Sequence, residues 1–284
     1  MTTFADHASL AIENSRLISK SIERERLHQE MMVAQRMQKR LLPQRLPSLP
    51  QVEVAAISES SMEVGGDYYD VFSLSEKRIG IIIGDVAGKG VSAAFYMAEL
   101  KGIILSLSKI YATPKELLLR ANDTLRESLE KNVFISAVYA IMDIGSGTLT
   151  LTRAGHCPVV FLSGSTIELI KPNGLGLGLT YGSQFERTIE ERSIVLKEED
   201  ICVFYTDGIT EARNDANEEY GYDRLLDQVR ACRNCSANEL KEKILHDVRT
   251  FMSNGAYTDD ITLIVVKWKG LETNEASHNK MERV

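Results

Sequence analysis

Residues 78–90 read Arg78-Ile79-Gly80-Ile81-Ile82-Ile83-Gly84-Asp85-Val86-Ala87-Gly88-Lys89-Gly90. The first half is β-branched and apolar, the composition of a buried strand. The second half is a glycine loop, and Asp85 stands where the two meet. A carboxylate at the end of a buried strand is costly to hold without compensation. The glycines beside it let backbone or ligand approach closely.

The same placement recurs three times. Asp67 lies in Val64-Gly65-Gly66-Asp67-Tyr68-Tyr69-Asp70. Asp207 ends Val203-Phe204-Tyr205-Thr206 and precedes Gly208. Asp259 and Asp260 stand just before Ile261-Thr262-Leu263-Ile264-Val265-Val266. Any one such residue could be a helix cap or a turn aspartate, the reading given to Asp143 and Asp215. Four of them, each flanked by glycine or followed by a new element, point to convergence on one spot. Carboxylates gathered without basic partners imply divalent cations, and all-oxygen ligation selects Mg²⁺ or Mn²⁺ over zinc.

Working outward, residues 52–58, 68–74, 79–84, 134–143, 148–153, 158–162, 192–196, 201–205 and 261–268 are rich in β-branched and aromatic residues and read as strands. Gly145-Ser146-Gly147 and Ser163-Gly164-Ser165 supply turn chemistry. Helical patterns fall at 91–110, 114–130, 222–232 and 236–252, with Thr113 as N-cap and Pro114 at the first helical position of one of them. Hairpin-linked strands with helices inserted in groups indicate an α+β class.

Residues 6–42 contain no Gly or Pro, enough for about ten helical turns or roughly 55 Å. Leu27, Met31, Ala34, Gln38 and Leu41 repeat with the spacing of a coiled-coil seam. The helix therefore expects a partner chain, a further domain, or its own domain to lie on. Met31, Met32 and Met37 read as seam or core filler. Pro43, Pro47 and Pro50 end the helix and form a connector. The chain divides into an arm (1–42), a Pro-rich connector (43–51), a main domain (52–268) and a polar tail (269–284).

The net charge of the 284 residues is −7, which argues against a nucleic-acid partner bound by bulk electrostatics. It is unevenly spread: residues 1–50 hold eight basic and five acidic residues (+3), leaving −10 for the remainder. No apolar run approaches the ~18 residues that span a bilayer, and no signal core opens the chain. The expectation is a cytoplasmic protein without membrane contact. Cys157 and Cys202 lie singly; Cys232 and Cys235 form one CxxC, which lacks the second pair that zinc requires and is assigned no role. His7, His28, His246 and His278 read as solvated. Gly174-Leu175-Gly176-Leu177-Gly178-Leu179 is no dinucleotide loop, since no helix pattern follows it.

The blocks GGDYYDVF (65–72), GDVAGKGVSAA (84–94), AGHCPVV (154–160), YTDGITEARN (205–214) and DDITLIVV (259–266) resemble the metal-dependent protein phosphatases. The likeness is to their bacterial branch, typified by the sporulation phosphatase and by the stress-response phosphatases that act on anti-sigma-factor antagonists. It covers about residues 35–268, with 34–43 resembling the branch's entry helix. Residues 7–17 resemble the closing helix of a GAF sensor domain, so the chain reads as a fragment or as a protein that has lost its sensor.

The resemblance implies a four-layer αββα sandwich, two antiparallel sheets flanked by helices, preceded here by a long N-terminal helix. It implies two Mn²⁺ or Mg²⁺ ions. Asp85 would bridge them, with the Val86 carbonyl as a further ligand. Asp207 and Asp259 would complete one metal's shell, and Asp67 would serve the other, directly or through water. Asp260 would be a neighbouring polar residue. The reaction implied is direct hydrolysis by a metal-bridging hydroxide, without a phosphoenzyme. The substrate implied is a phosphoserine or phosphothreonine protein of the anti-sigma-factor-antagonist type. An upstream sensor and a homodimer through the arm complete the expected partners.

Two departures stand out. The eukaryotic branch uses an arginine shortly before the first acidic motif to hold phosphate, yet residues 51–66 contain no Lys or Arg. Phosphate contact then falls to the metals and to Lys89. Cys157-Pro158 replaces the branch's Asn-Pro, and His156 and Cys157 read as a structural turn. Two other readings stay open, a catalytically silent dimeric signalling module and a phosphatase for small phosphoesters. A shift in helices 91–110 and 114–130, which follow the Asp85 loop, would carry a signal from the arm to the site.

Overall fold

The computed structural model describes residues 2–180, 182–253 and 257–271. A long helix, α1 (Thr2–Leu41), leads to strands β1 (Val52–Glu59), β2 (Tyr68–Ser75) and β3 (Arg78–Val86). Helices α2 (Val91–Leu107) and α3 (Pro114–Ser128) follow. Next come β4 (Ile135–Asp143), β5 (Thr148–Ala154), β6 (Val159–Ser163), β7 (Thr166–Ile170) and the short α4 (Gly182–Thr188). The chain continues through β8 (Glu191–Val195), β9 (Ile201–Tyr205), one-turn α5 (Asp207–Thr210), α6 (Gly221–Ala231), α7 (Ala237–Phe251) and β10 (Ile261–Trp268).

The strands form two five-stranded sheets, in the orders β1-β10-β9-β6-β7 and β2-β3-β4-β5-β8. Every pairing between these ten strands is antiparallel. This is the α+β sandwich expected.

Strand alternation explains the layers. Ile79, Ile81 and Ile83 share the inter-sheet core with Val138, Ala140, Leu149, Leu151, Phe204, Ile264 and Trp268. Ile82, Ala137, Tyr139 and Ala154 point to the opposite face, where α2, α3 and α4 cover them through Met97, Leu100, Leu117, Leu125 and Phe185. Ile201, Val203, Leu263 and Val265 meet Leu225, Val229, Leu240, Ile244 and Val248 of α6 and α7. Both faces of the central strands are thus dry, which is why they read as continuous apolar runs rather than as alternation. Ile81 is fully buried, and truncating it to Ala would cost about 2–5 kcal/mol.

Local chemistry starts the helices where expected. Thr113 Oγ1 accepts from Glu116 N at 3.2 Å, with Pro114 at the first position of α3. Ser236 and Glu239 form a reciprocal capping box on α7. Asp143 Oδ1 accepts from Gly145 N and Ser146 N, a turn aspartate as read. The strand β7 escaped the sequence reading because it is an edge strand whose Thr166 and Glu168 face water. Helices α4 and α5 are too short to show a period.

Three expectations are corrected. The seam residues Gln38 and Leu41 are not free for a partner helix: Gln38 is buried against Gly65, and Leu41 packs on the α2–α3 cluster. Met32 and Met37 are 39% and 64% exposed, so they are not core filler in this chain. Cys232 and Cys235 are joined as a disulfide.

The connector is not a free spacer, since Leu46 and Leu49 pack on the inter-sheet core. The 174–179 loop is structural: Leu177 exchanges two backbone bonds with Ile135, and Gly174 O accepts from Gly155 N. His7, His28 and His246 are exposed as expected, while His278 and most of the tail lie outside the described residues.

Candidate active site

Register brings the acids together. Tyr68 pairs with Gly84, so Asp67, just before β2, lies beside Asp85 at the end of β3. Tyr205 pairs with Leu263, so Asp207, just after β9, lies beside the start of β10 and its Asp259-Asp260 lead-in. Each sheet contributes one strand end and one strand start, and the two pairs meet at one edge of the sandwich. Thr206 ties them: its Oγ1 donates to Asp67 Oδ2 at 2.8 Å and accepts from Thr262 N at 2.9 Å.

The Gly65-Gly66 pair is a requirement of close approach. A Cβ on Gly65 would collide with the Asp260 carboxylate, and one on Gly66 would lie 2.9 Å from Val86 O and 3.3 Å from Asp85 Oδ1. Asp260 holds this loop. Its Oδ1 accepts from Ser61 N at 2.8 Å and its Oδ2 from Gly66 N at 2.8 Å. It is an anchor, in keeping with the subsidiary place expected for it. Asp70 is also structural, taking an ion pair from Lys101 on α2 at 2.9 Å.

The clustering is visible in the electrostatics. Burial, followed by Asp207, Asp259 and Asp260, raises the Asp85 pKa to about 7. Burial and then Asp85 raise Asp67 well above the usual carboxylate range. Burial and then Asp259 raise Asp207. Mutual elevation of this kind marks acids held together without enough positive charge. Among the described residues, Lys89 forms an ion pair with one of them. Its Nζ lies 3.0 Å from Asp259 Oδ2 and donates to Thr258 O at 2.8 Å.

The donor set suits a hard divalent cation in kind: carboxylates and the Val86 carbonyl, all oxygen. Among the described residues, however, no three His, Cys, Asp or Glu side chains are pre-arranged to hold a metal ion. Asp259 is turned to Lys89.

Asp85 and Asp207 line a cavity of about 480 Å³ that also includes Ser136, Arg153, His156, Cys157, Lys171, Glu211 and Tyr222. His156 and Cys157, read as a turn, are therefore part of its wall. His156 Nδ1 lies 2.7 Å from Ser136 Oγ, and burial lowers its pKa to about 3, so the ring is neutral. Burial pushes the Cys157 thiol up to about 12, which excludes it as a nucleophile near neutral pH.

Thr206, Ser61, Arg153 and Lys171 were missed from the sequence. For Arg153 a signal existed: it occupies the next inward position after Leu149 and Leu151, where alternation calls for an apolar residue.

Comparison with known proteins gives a consistent family. The family model described as stage II sporulation protein E matches residues 75–269. Protein IcfG of Synechocystis sp. is 30% identical over 270 residues, covering 84% of this chain and 41% of the relative. The phosphoserine phosphatase RsbU of Bacillus subtilis is 28% identical over 244 residues, covering 84% of this chain and 70% of its own. The chain thus spans less than half the length of the first of these. In fold, the SiaA-PP2C domain of Pseudomonas aeruginosa superposes with a TM-score of 0.77 at 17% identity, over 87% of this chain and 98% of that domain.

Proposed function

The chain belongs to the stage II sporulation protein E family, and from that premise we propose that it is a metal-dependent phosphoserine/phosphothreonine protein phosphatase of bacterial signalling. Its substrate in this reading is a phosphorylated anti-sigma-factor antagonist. The observation that carries the proposal is the meeting of Asp67, Asp85, Asp207 and Asp259, from four distant segments, at one edge of the sandwich beside an open cavity. The kinship with a relative named as a phosphoserine phosphatase supports the substrate class.

In this reading Asp85, Asp207, Asp259, Asp67 and the Val86 carbonyl hold two Mn²⁺ or Mg²⁺ ions. When bound, these would lower the pKa of a water for in-line attack on phosphorus and neutralise charge on the phosphoryl oxygens. The protein's own part is positional. Thr206 orients Asp67, Asp260 fixes the Gly65-Gly66 loop, and the cavity admits the phosphoester. With Cys157 protonated, its thiol does not compete with water.

The arm contributes regulation. Leu10, Leu17, Ile18, Ile22 and Leu27 are each more than half exposed, which supports pairing of α1 with a second copy and coupling to an upstream sensor. We place the activity in the cytoplasm; no described helix is long and apolar enough to cross a membrane.

Manganese-dependent hydrolysis of an aryl phosphate should appear in the wild type and vanish in Asp85→Asn and Asp207→Asn. Equal inactivity of all three across Mn²⁺ and Mg²⁺ would turn the reading to a silent binding module. Activity on aryl phosphate but none on phosphoserine peptides would favour a small-phosphoester phosphatase.

A further inference from the structure

The phosphate-holding arginine absent from residues 51–66 leaves a gap, and Lys89 is paired with Asp259 and Thr258. The same cavity offers another cation. Arg153 is the penultimate residue of β5 and pairs with Val138. Leu149 and Leu151, four and two residues earlier, face the inter-sheet core. Strand alternation therefore directs Arg153 to the same face, at its end. Ile79, Ile81 and Ile83 place Asp85 on the inner face of β3 by the same count, and Asp85 pairs with Ser136 on β4. Asp85, Ser136 and Arg153 thus stand on three adjacent strands at one edge, and all three line the cavity.

Arg153 is only 9% exposed. Its Nε donates to Pro172 O at 2.9 Å and its Nη1 to His156 O at 2.8 Å. Both acceptors are neutral carbonyls. Among the described residues no carboxylate forms an ion pair with it. A guanidinium has five N–H donors, so the two carbonyls fix its plane and leave three donors without a protein partner among the described residues. A buried cation in that condition is costly unless an anion joins it.

Lys171, next to Pro172, is exposed, lines the same cavity and likewise has no ion-pair partner among the described residues. The cavity's other acids do not supply the missing anion. Glu219 is paired with Arg213, and Glu211 sits on the Asp207 side, where burial and Asp207 raise its pKa.

We propose that Arg153, with Lys171, is the anchor for the substrate's phosphoryl group in the cavity that Asp85 and Asp207 also line. The fork of a guanidinium matches two phosphoryl oxygens at once. Its plane is set in advance by Pro172 and His156, so little is lost in ordering it on binding. This rests on the phosphatase reading above and names the residue that would grip the reacting group. The chemistry needs no electron or proton from Arg153, which only holds.

The test uses the full chain with Mn²⁺ and inorganic phosphate as probe. In Arg153→Met the inhibition constant for phosphate and the KM for aryl phosphate should both rise by about tenfold or more, the loss of a charge-assisted pair. Arg153→Lys should fall between Met and wild type, and Lys171→Met should raise both constants by a smaller factor. A second readout is thermal: added phosphate should raise the melting temperature of the wild type, and this rise should be lost in Arg153→Met.

If Arg153→Met and Lys171→Met change only the melting temperature and leave both constants at wild-type values, Arg153 is a loop tie and the assignment is wrong. A KM that rises for a phosphopeptide but not for aryl phosphate also overturns it, since the cation would then read acidic side chains of the substrate chain. Should Arg153→Met fail to fold, Arg153→Lys and Lys171→Met decide by the same two constants. Absence of wild-type turnover would count against the phosphatase reading alone, because phosphate protection and its loss are measured without turnover.

Discussion

Gln38, in the last turn of the arm helix, holds both backbone groups of Gly65. Its Nε2 donates to the Gly65 carbonyl at 2.6 Å, and its Oε1 accepts from the Gly65 N–H at 3.1 Å. Gln38 is buried, and Gly65 opens the loop that carries Gly66 and Asp67. The arm therefore ends as a clamp on one strand start at the edge where the four aspartates meet. Gln38→Ala would leave a buried N–H and C=O unpaired, at a cost of about 1–3 kcal/mol. We expect a lower denaturation midpoint, measurable in urea, and reduced turnover of aryl phosphate, because Asp67 loses its fixed loop.

Asp260 should matter for folding more than for chemistry. It receives Ser61 N and Gly66 N at 2.8 Å each. Asp260→Ala should destabilise the metal-free protein by about 1–3 kcal/mol, or some 2–4 °C per kcal/mol for a domain of this size. Asp85→Asn, which relieves like-charge repulsion, should not lower the metal-free melting temperature. Calorimetry of the two variants in chelator compares them directly.

The raised acids give a pH signature. Burial, then Asp207, Asp259 and Asp260, hold the Asp85 pKa at about 7 against a reference of 3.8. Asp67 and Asp207 are shifted in the same direction. A group raised on folding stabilises the native state fully below its unfolded pKa and loses that contribution as pH rises through the folded value. Metal-free melting temperature should therefore decline from about pH 4 to about pH 7, and the decline should be shallower in Asp85→Asn. A flat or rising profile would contradict the clustering.

Lys89 and Asp259 form a half-exposed pair, so water and salt weaken it. Still, the ammonium occupies a carboxylate that the proposed cations need. Lys89→Met should lower the Mn²⁺ concentration for half-maximal thermal stabilisation by a few-fold, leaving the KM for aryl phosphate unchanged. A raised KM would instead restore Lys89 to the substrate.

Two truncations separate the arm's parts. Removing residues 1–33 takes away Leu10, Leu17, Ile18, Ile22 and Leu27 but keeps Gln38 and Leu41, so the domain should stay folded and, if the proposed pairing of α1 holds, sediment as a monomer where the full chain sediments as a dimer. Removing residues 1–42 should also lower the melting temperature. A dimer that survives both would take the arm out of assembly.

Much of this was legible in the chain. The strand runs and the acid at the end of each are local facts, written in β-branched composition and glycine punctuation. Long apolar runs such as 79–83 announced burial on both faces because nothing in them is fit for water. The roles of Gln38 and Arg153 were harder to see. A glutamine at a seam position looks the same whether it meets a partner helix or a loop 27 residues on. Arg153 broke the inward pattern of Leu149 and Leu151, but a single charged residue near a strand end has no meaning until the cavity beside it is known.

The sequence alone determined which segments become strands and helices and which aspartates end them, since those depend on side-chain shape and on neighbours in the chain. Tertiary structure decided what the aspartates face. Antiparallel register set Asp67 beside Asp85 and Asp207 beside the start of β10, and sheet packing brought the two pairs to one edge. The same packing closed Lys89 onto Asp259 and left Arg153 buried without an ion-pair partner among the described residues. Those relations join residues tens to nearly two hundred positions apart, and they arise from burying two sheets against each other, a property of the whole core that no local stretch contains.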